Sequence, residues 1–281
     1  MGLRISTNVA SLNAQRNLRN TRMALDRSLE KLSSGSRINR AGDDAAGLAI
    51  SENLKAQIRG LGQAERNAED GISLVQIAEG ALNEVSNILI RLRELSVQAA
   101  SDTISNSERK FLNVEFEQLL QEIDRIANST EFNRVPLLNG TGAVFDIQIG
   151  TRNDPISDRL TFDASSADVN IAALGLNLAS VADKISAQNS LSSIDQSILT
   201  VSGIRADFGA LQNRLQSTIN NIAVNIENLS AANSRIRDTD IAGETAQLTK
   251  NNILVQAGTS VLAQANMYTK NAIQLINSTG N

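Results

Sequence analysis

The sequence predicts a mainly α-helical protein: a long antiparallel, coiled-coil-like helical bundle with one small β-hairpin region, whose two termini pair as a helical inner domain. Three observations support this prediction. Apolar residues recur every seven positions over long stretches, only two of the 281 residues are proline, and both prolines lie in the middle of the chain. A seven-residue apolar repeat is typical of helices packed in bundles, and proline is the main breaker of helices.

Three long helices are predicted by this repeat. The first row is Leu54, Leu61, Ala68, Val75, Leu82 and Leu89, with a companion row at Ala64, Gly71, Ala78, Val85 and Leu92. Ser105 and Glu108 have the spacing of a capping box and begin a second helix, which is expected to fold back on the first. The strongest row runs from Ile194 to Ile236 and predicts a helix of about fifty residues.

A single β-hairpin is predicted between the second and third helices. Phe145, Ile147 and Ile149 alternate with polar residues, and a turn-prone stretch at 150–155 leads to a weaker alternation from Leu160 to Phe162. Such alternation is typical of strands with one buried face.

The two ends of the chain carry apolar rows that one chain of this size cannot bury. Residues 241–281 contain only three charged side chains, and the last helix is apolar on more than one face, which is typical of helices buried on several sides. We therefore expect these helices to be buried between copies of the chain. Tyr268, the single tyrosine, lies on the apolar row, which favours packing over a ligand-stacking role. The predicted self-assembly residues are Ile5, Val9, Leu12, Leu18, Leu25, Leu254, Val261, Tyr268 and Leu275.

The composition argues against catalysis. The chain has no histidine and no cysteine, which removes imidazole bases, thiolate nucleophiles and the usual transition-metal ligands. We expect no enzyme activity, no catalytic residues, no metal and no cofactor. The acidic pair at Gly42-Asp43-Asp44 is interpreted as a helix start, with Asp43 as the cap and Asp44 favourable to the helix dipole.

The charge distribution is uneven without indicating nucleic acid or membrane as a partner. Residues 1–40 carry a net charge of +6, whereas the whole chain carries −4. A solvated helix face explains these arginines, since no aromatic residues are interleaved with them. No apolar run has the length of a membrane span, and no signal peptide is visible, which taken alone indicates a cytoplasmic protein.

Four motifs give the chain a family resemblance. They are LSSGSRINRAGDDAAGLAIS at 32–51, FNRVPLLNG at 132–140, SRIRDTDIAGE at 234–244 and the closing run 253–275. In this order they resemble the signatures of bacterial flagellins, and the resemblance covers roughly residues 1–145 and 180–281. It implies a short flagellin without large outer domains.

The resemblance implies a domain plan and a function. Residues 1–44 and 237–281 would be the two halves of an inner filament-core domain. Residues 45–180 would form the outer core with two helices and the β-hairpin region, and residues 181–236 its third long helix. The chain would polymerise through its terminal helices into the flagellar filament for swimming motility.

The implied partners follow from that function. They are other copies of the chain in a helical homopolymer, an export chaperone, the flagellar type III export apparatus, the filament cap and the hook-associated proteins. The protein would be extracellular, in the filament, and exported without a cleavable signal peptide.

The resemblance also implies a site for the vertebrate flagellin-sensing Toll-like receptor, which would bind the monomer. Arg91, Leu95, Glu115 and Gln118 agree in type with the family's receptor surface. Arg91 and Leu95 lie off the apolar rows, so we expect the core not to require them.

Two other functions stay open on the sequence alone. A hook-associated junction protein of the flagellum would share the terminal rows, although it is usually longer between its two halves. A soluble coiled-coil scaffold or signalling protein would explain the repeats but not the nearly uncharged carboxyl terminus. A flagellin carrying a protease is excluded, because its His-Glu-x-x-His motif needs histidine.

Overall fold

The computed structural model describes residues 7–278 of the chain, with side chains described for residues 7–270. Long α-helices dominate this part of the chain, which confirms the predicted mainly α-helical class. The helices are α1 (Val9–Ser34), α2 (Ala45–Ala100), α3 (Asn106–Ser129), α4 (Lys184–Arg237) and α5 (Ile241–Ser278). Each of the predicted seven-residue repeats lies inside one of them.

Two short antiparallel strand pairs lie between α3 and α4. β3 (Val144–Gln148) pairs with β4 (Arg159–Asp163), with Phe145 opposite Phe162, which confirms the predicted hairpin. β1 (Glu131–Phe132) and β2 (Val135–Pro136) form a smaller pair that the sequence analysis missed, because two-residue strands are too short to show alternation. Asn133 and Arg134 turn this pair with φ of 49° and 65°, as a two-residue hairpin turn requires.

The chain divides into two compact units. One consists of residues 1–56 and 228–281, and the other of residues 57–227. Helices α2 and α4 each contribute residues to both units. The boundaries at 44, 180 and 236, which the family resemblance implies for the filament domains, stay predictions.

The unit of residues 57–227 has a continuous apolar core between α2, α3, α4 and the β3–β4 hairpin. Helix α2 runs antiparallel to α3, since Arg109 contacts Ala99 while the later Glu115 contacts the earlier Arg91. It runs antiparallel to α4 as well, since Lys184 is bound to Asp102, just after α2, while the later Asp195 is bound to the earlier Arg93. The predicted rows form this core and include Ala68, Val75, Ala78, Leu82, Val85, Leu89, Leu92, Ile194, Val201, Phe208, Leu215 and Ile222. Large aliphatic residues at regular spacing are therefore what holds this unit together.

Leu95 belongs to this core, and the expectation that the core does not require it is wrong. Its side chain is only 1% exposed. Near its end, α2 has two helical neighbours, α3 beside Arg91 and α4 beside Arg93. The buried face there is wider than a two-row seam, so Leu95 is covered together with Ser96 and Ala99.

The segment between β4 and α4 is fastened to the helices by side-chain hydrogen bonds to its backbone. Asn113 Oδ1 accepts from the N–H of Val181 at 2.9 Å, and Asp124 Oδ1 accepts from the N–H of Ile171 at 2.9 Å. Leu176 of this segment is fully buried. These bonds satisfy backbone groups that lie outside regular secondary structure, so the segment closes one side of the core.

The turn between α2 and α3 is held by a capping box and a buried arginine. Ser105 and Glu108 form the predicted box: the Ser105 hydroxyl accepts from the Glu108 N–H, and the Glu108 carboxylate accepts from the Ser105 N–H. Arg109 is 6% exposed and donates to the carbonyls of Ala99 and Ser101, each at 2.8 Å. A guanidinium at the carboxyl end of α2 satisfies carbonyls that the helix leaves unpaired and complements its dipole.

The predicted N-cap residue of α2, Asp43, is wrong by one position. Asp44 accepts from the N–H of Gly47 at 2.8 Å, so Asp44 rather than Asp43 is the capping residue. Asp43 instead accepts from the N–H groups of Arg40 and Asn39 in the preceding loop, and these bonds hold the pKa of its carboxyl below the usual value. The acidic pair therefore has a structural role on both residues.

Replacing Leu95 with alanine is expected to lower the free energy of unfolding by about 2–5 kcal/mol, because it leaves a cavity in a packed core. The control is Val97→Ala, since Val97 lies two residues further along the same helix and is 52% exposed. We expect a change of less than about 0.5 kcal/mol for the control. Urea unfolding followed by far-UV circular dichroism measures both, and equal midpoints would contradict this packing.

Replacing Arg109 with alanine is expected to lower the free energy of unfolding by about 2 kcal/mol, because the carbonyls of Ala99 and Ser101 lose a charged donor. Lys110→Ala is the matched control, since Lys110 is the next residue and is exposed. Thermal unfolding of the two variants should separate them clearly. If Arg109→Ala and Lys110→Ala unfolded at the same temperature, the guanidinium of Arg109 would contribute nothing to the stability of the turn.

Candidate self-assembly surface

Helices α1 and α5 pack against each other as an antiparallel pair. Near the start of α1, Asn8 Nδ2 donates to the carbonyl of Ala265 at 2.9 Å. Further along, Leu18 lies against Gly258, where its Cδ1 would be 3.2 Å from an added Cβ. Near the end of α1, Lys31 Nζ lies 3.8 Å from Glu244 Oε2. We call this arrangement the terminal pair.

The contact face of the terminal pair follows a seven-residue repeat on both helices. The least exposed positions of α1 step by three and four, and those of α5 do the same. They are Ser11, Ala14, Leu18, Thr21, Leu25, Ser28 and Leu32 on α1, and Glu244, Leu248, Asn251, Val255, Gly258, Leu262, Ala265 and Thr269 on α5. Many of these side chains are small or polar, so the helices approach closely but bury little apolar area.

A short backbone ladder joins the segments that connect the terminal pair to α2 and α4. The N–H of Arg37 donates to the carbonyl of Arg237 at 2.6 Å, and the N–H of Thr239 donates to the carbonyl of Gly35 at 2.9 Å. Gly35 ends α1 with φ of 70°, a conformation that glycine adopts without strain. This ladder fixes which residues of α1 and α5 face each other.

The predicted self-assembly residues divide into two groups. Leu18, at 9% exposure, and the half-buried Leu25 lie on the contact face within one chain. They can support assembly only by holding the terminal pair together. Leu254, Val261 and Tyr268 lie to one side of that face and are 45%, 59% and 62% exposed.

Tyr268 is exposed within the single chain, so the packing predicted for it requires another copy and stays a prediction. Helix α5 is apolar on two sides, and the side that contains Val255 and Leu262 is the one that meets α1. The sequence carries a second seven-residue row through Leu248, Val255 and Leu262, but it does not show which of the two rows meets α1.

Large apolar side chains remain exposed on the terminal pair. Val9 and Leu12 are 56% and 57% exposed, and both were predicted to take part in assembly. Ile5 lies outside the described residues. Leu275 lies within α5, but its side chain is outside the described ones. Among the described side chains of the two helices, the exposed large apolar ones are Val9, Leu12, Met23, Leu29, Ile241, Ile253, Leu254, Val261, Met267 and Tyr268.

The residues of the predicted receptor surface lie on α2 and α3 and are only partly accessible. Arg91 donates from Nε to Glu115 at 2.9 Å and from Nη1 to Glu94 at 2.9 Å. Hydrogen bonding to Glu115, and then to Glu94, raises the pKa of the Arg91 guanidinium above its usual value. Gln118 is exposed three residues after Glu115 on α3, whereas Leu95 is buried. Arg91, Glu115 and Gln118 are thus available on the surface, and Leu95 is not.

Neither a metal-binding cluster of side chains nor a membrane-spanning helix is found among the described residues. No group of three or more carboxylates among residues 7–270 is arranged to hold a metal ion. None of the helices, over their described residues, combines the length and apolar character needed to cross a membrane.

Comparison with known proteins shows relatives along almost the whole chain. The bacterial flagellin N-terminal helical region matches residues 5–143, and the bacterial flagellin C-terminal helical region matches residues 191–276. A flagellin of Halalkalibacterium halodurans is 46% identical, over 97% of this chain and 99% of that protein. The Bacillus subtilis flagellin is 44% identical over 98% and 100%, and a flagellar filament 33 kDa core protein of Treponema phagedenis is 43% identical over 97% and 99%.

Solved structures show the same fold. The crystal structure of Bacillus cereus flagellin has a TM-score of 0.50 and 33% identity, covering 56% of this chain and 88% of that one. A putative flagellar hook-associated protein from Vibrio parahaemolyticus has a TM-score of 0.58 at 16% identity, which shows likeness of fold alone. Because both helical regions match and relatives align along nearly their full length, the chain belongs to the bacterial flagellins, a family of structural flagellar filament subunits rather than enzymes.

Proposed function

We propose that this chain polymerises through α1 and α5 into the flagellar filament, with the exposed apolar side chains of the terminal pair buried between copies. The observation that supports this most is that far more large apolar side chains are exposed on the terminal pair than are buried within it. Its buried apolar residues, among those described, are Leu18 and Ala265, whereas ten large apolar side chains are exposed on the same two helices. An apolar surface of this extent on a soluble chain is typical of a protein interface.

The energetics favour burial of this surface by other copies. Covering the remaining half of an exposed valine or leucine side chain stabilises by roughly 1 kcal/mol. Ten such contributions, one from each of these side chains and repeated at every subunit, can offset the loss of freedom on association. Because α1 and α5 present different side chains, the contact joins unlike surfaces, and a contact of that kind can build an open helical polymer.

The location and partners of the chain follow from the same proposal. Filament subunits act outside the cell, so we infer export through the flagellar type III apparatus with its chaperone. At the filament the chain would meet the filament cap and the hook-associated proteins. The fold shared with a hook-associated protein is consistent with neighbours that pack through similar terminal helices.

A hook-associated junction role is the alternative within the flagellum. The near full-length relatives are named flagellins or filament core proteins, which favours the filament role. Family membership leaves no support for a soluble coiled-coil scaffold or signalling protein. A junction protein would fail to elongate long filaments by itself, so the polymerisation test below also decides this alternative.

Recognition of the monomer by the vertebrate flagellin-sensing Toll-like receptor is a second proposed property. It is supported by the family resemblance and by the ion pair that holds Arg91 against Glu115 on neighbouring helices. Their side chains are 48% and 45% exposed, so a partner can reach both. Leu95, being buried, would act by supporting this surface rather than by contact.

Replacing Val261 with aspartate is expected to abolish filament growth while the unfolding of residues 57–227 stays unchanged. A carboxylate buried without a partner costs several kcal/mol, and that cost recurs at each subunit. Val261→Thr, of similar size and uncharged, serves as the control and should still polymerise. The measurement is electron microscopy after seeding with short filament fragments, together with thermal unfolding of the free chain.

Leu215→Asp places the same charge in the core of one chain instead of on the proposed interface. Leu215 is fully buried in the core of one chain, so this variant should unfold at a lower temperature even without assembly. Filaments of normal length from Val261→Asp would place α5 outside the interface and overturn the proposal.

Replacing Arg91 with alanine is expected to weaken binding of the free chain to the receptor ectodomain by about 2 kcal/mol, as is common for an arginine near the centre of an interface. The fold should persist, because exposed ion pairs contribute little to stability. Arg125→Ala is the matched control, since Arg125 forms an exposed ion pair with Glu122 on α3. Unchanged affinity for the Arg91 variant would remove these residues from the site.

A further inference from the structure

The loop between β2 and β3 contains an asparagine followed by a glycine, a pair that occurs once in the sequence. The two residues, Asn139 and Gly140, are half-buried, and the next residue, Thr141, is exposed, so water reaches this part of the loop. Glycine has no Cβ to hinder the approach of its own backbone nitrogen to the preceding side chain. The pair is therefore a candidate for attack of a backbone nitrogen on a side-chain amide.

The side-chain carbonyl of Asn139 is held by two donors of Thr141. Asn139 Oδ1 accepts from the Thr141 N–H at 3.1 Å and from the Thr141 hydroxyl at 2.7 Å. Attack of a nitrogen on the Cγ of Asn139 would place a negative charge on this oxygen. Two donors that already point at the atom where the charge develops stabilise it, as an oxyanion hole does in acyl transfer.

The attacking and leaving nitrogens are only weakly held. In the described part of the chain, the Gly140 N–H donates to no backbone carbonyl. Asn139 Nδ2, which would leave, is held by a hydrogen bond of 3.5 Å to Asn128 Oδ1. Asn128, Asn189 and Asn233, which precede serine, lie inside helices, where the following N–H is bonded to a carbonyl one turn earlier. Asn139 is thus placed for a reaction from which these asparagines are protected.

The loop contacts the segment before α4 at the same point. Asn170 Nδ2 donates to the backbone carbonyl of Asn139 at 2.9 Å, and the Asn170 N–H donates to Asp168 Oδ1 at 2.9 Å. The carboxylate of Asp168 also lies against Gly140, since a Cβ added to this glycine would be 2.7 Å from Asp168 Cγ. A carboxylate at position 139 would add a second negative charge beside Asp168, and like charges repel each other.

We propose that Asn139 is a site of spontaneous modification, at which the chain converts its own amide into a carboxylate. Hydroxide removes the N–H proton of Gly140, the Gly140 nitrogen forms a bond to Asn139 Cγ, and the bond from Cγ to Nδ2 breaks. The Nδ2 group leaves as ammonia after taking a proton from water. Water then opens the cyclic succinimide at either carbonyl, giving aspartate or isoaspartate.

The converted fraction of chains grows with the time since synthesis, because loss of ammonia to the solvent is not reversed. Isoaspartate lengthens the backbone at position 139 by one carbon, and both products carry the added charge beside Asp168. Conversion therefore weakens the contact between the loop and the segment before α4 in old chains. The reaction needs one chain only, so it does not depend on the proposed polymerisation.

The test compares the rate of conversion at Asn139 in Thr141→Val with that in the unaltered full chain. Valine keeps the shape and the backbone N–H of Thr141 but removes the hydroxyl donor. Thr200→Val is the matched control, since Thr200 is exposed and its hydroxyl donates to Gln196 of its own helix. After incubation at one pH and temperature, mass spectrometry with electron-transfer fragmentation measures asparagine, aspartate and isoaspartate at position 139. The same incubation in urea measures the unfolded chain.

We expect Thr141→Val to slow the conversion of the folded chain by about tenfold, which is less than a donor in a dry active site contributes, because Thr141 is exposed. In urea the unaltered chain and Thr141→Val should convert at the same rate, because the two donors are no longer held at Oδ1. Thr200→Val should match the unaltered chain under both conditions. Asn128 should keep its amide in the folded chain over the same period.

A second measurement tests the effect on the neighbouring segment. Asn139→Asp carries one of the two products from the start, and hydrogen exchange of the Asn170 N–H should be faster in it than in the unaltered chain. Asn153→Asp adds the same charge at an exposed position of the hairpin turn and should leave this exchange unchanged.

Equal or faster conversion of folded Thr141→Val would overturn the inference, because the two hydrogen bonds would then only restrain the amide. Retention of the Asn139 amide in the folded chain, over a period in which the chain in urea converts, would overturn it as well. Unchanged exchange of the Asn170 N–H in Asn139→Asp would overturn the proposed weakening of the contact. None of these results bears on the polymerisation of Val261→Asp, which tests the proposed function separately.

Discussion

The seven-residue register between antiparallel helices is the constraint on which this structure depends. In residues 57–227 the repeat places large aliphatic side chains opposite one another, and the result is a dry core that one chain completes alone. In the terminal pair the same repeat places serine, threonine, glycine and asparagine at many contact positions. The geometry of the two parts is alike, but the volume and polarity of the side chains differ. That difference distinguishes a part whose apolar rows are buried within one chain from a part that leaves large apolar side chains exposed.

Polar groups then decide where helices end and how the irregular segments are held. Arg109 satisfies the carboxyl end of α2, Ser105 and Glu108 satisfy the start of α3, and Asp44 satisfies the start of α2. Each of these groups is paired with backbone atoms that would otherwise lie without partners.

Much of the fold could be predicted from the sequence, because helix type, length and the rows of the core are local patterns. The features that could not be predicted depend on which helices of the same chain pack against each other. Leu95 lies off the two apolar rows, and only the position of α3 beside α4 shows that a wider face of α2 is covered. Helix α5 is apolar on two sides, so its sequence alone left open which side meets α1. Among the candidate site residues, exposure separates Val261 and Arg91, which a partner can reach, from Leu18 and Leu95, which it cannot.

The hydrogen bond between Asn8 and Ala265 joins residues that are 257 positions apart. Contacts of such separation form late, because the intervening chain must first be ordered before its ends are brought together at an acceptable entropic cost. During synthesis, α1 leaves the ribosome long before its partner helix exists. A chain that is broken off early, or whose middle is misfolded, has no way to present both helices side by side. The pairing of the two ends therefore requires a complete chain, and under the proposed assembly a truncated chain could not join the filament.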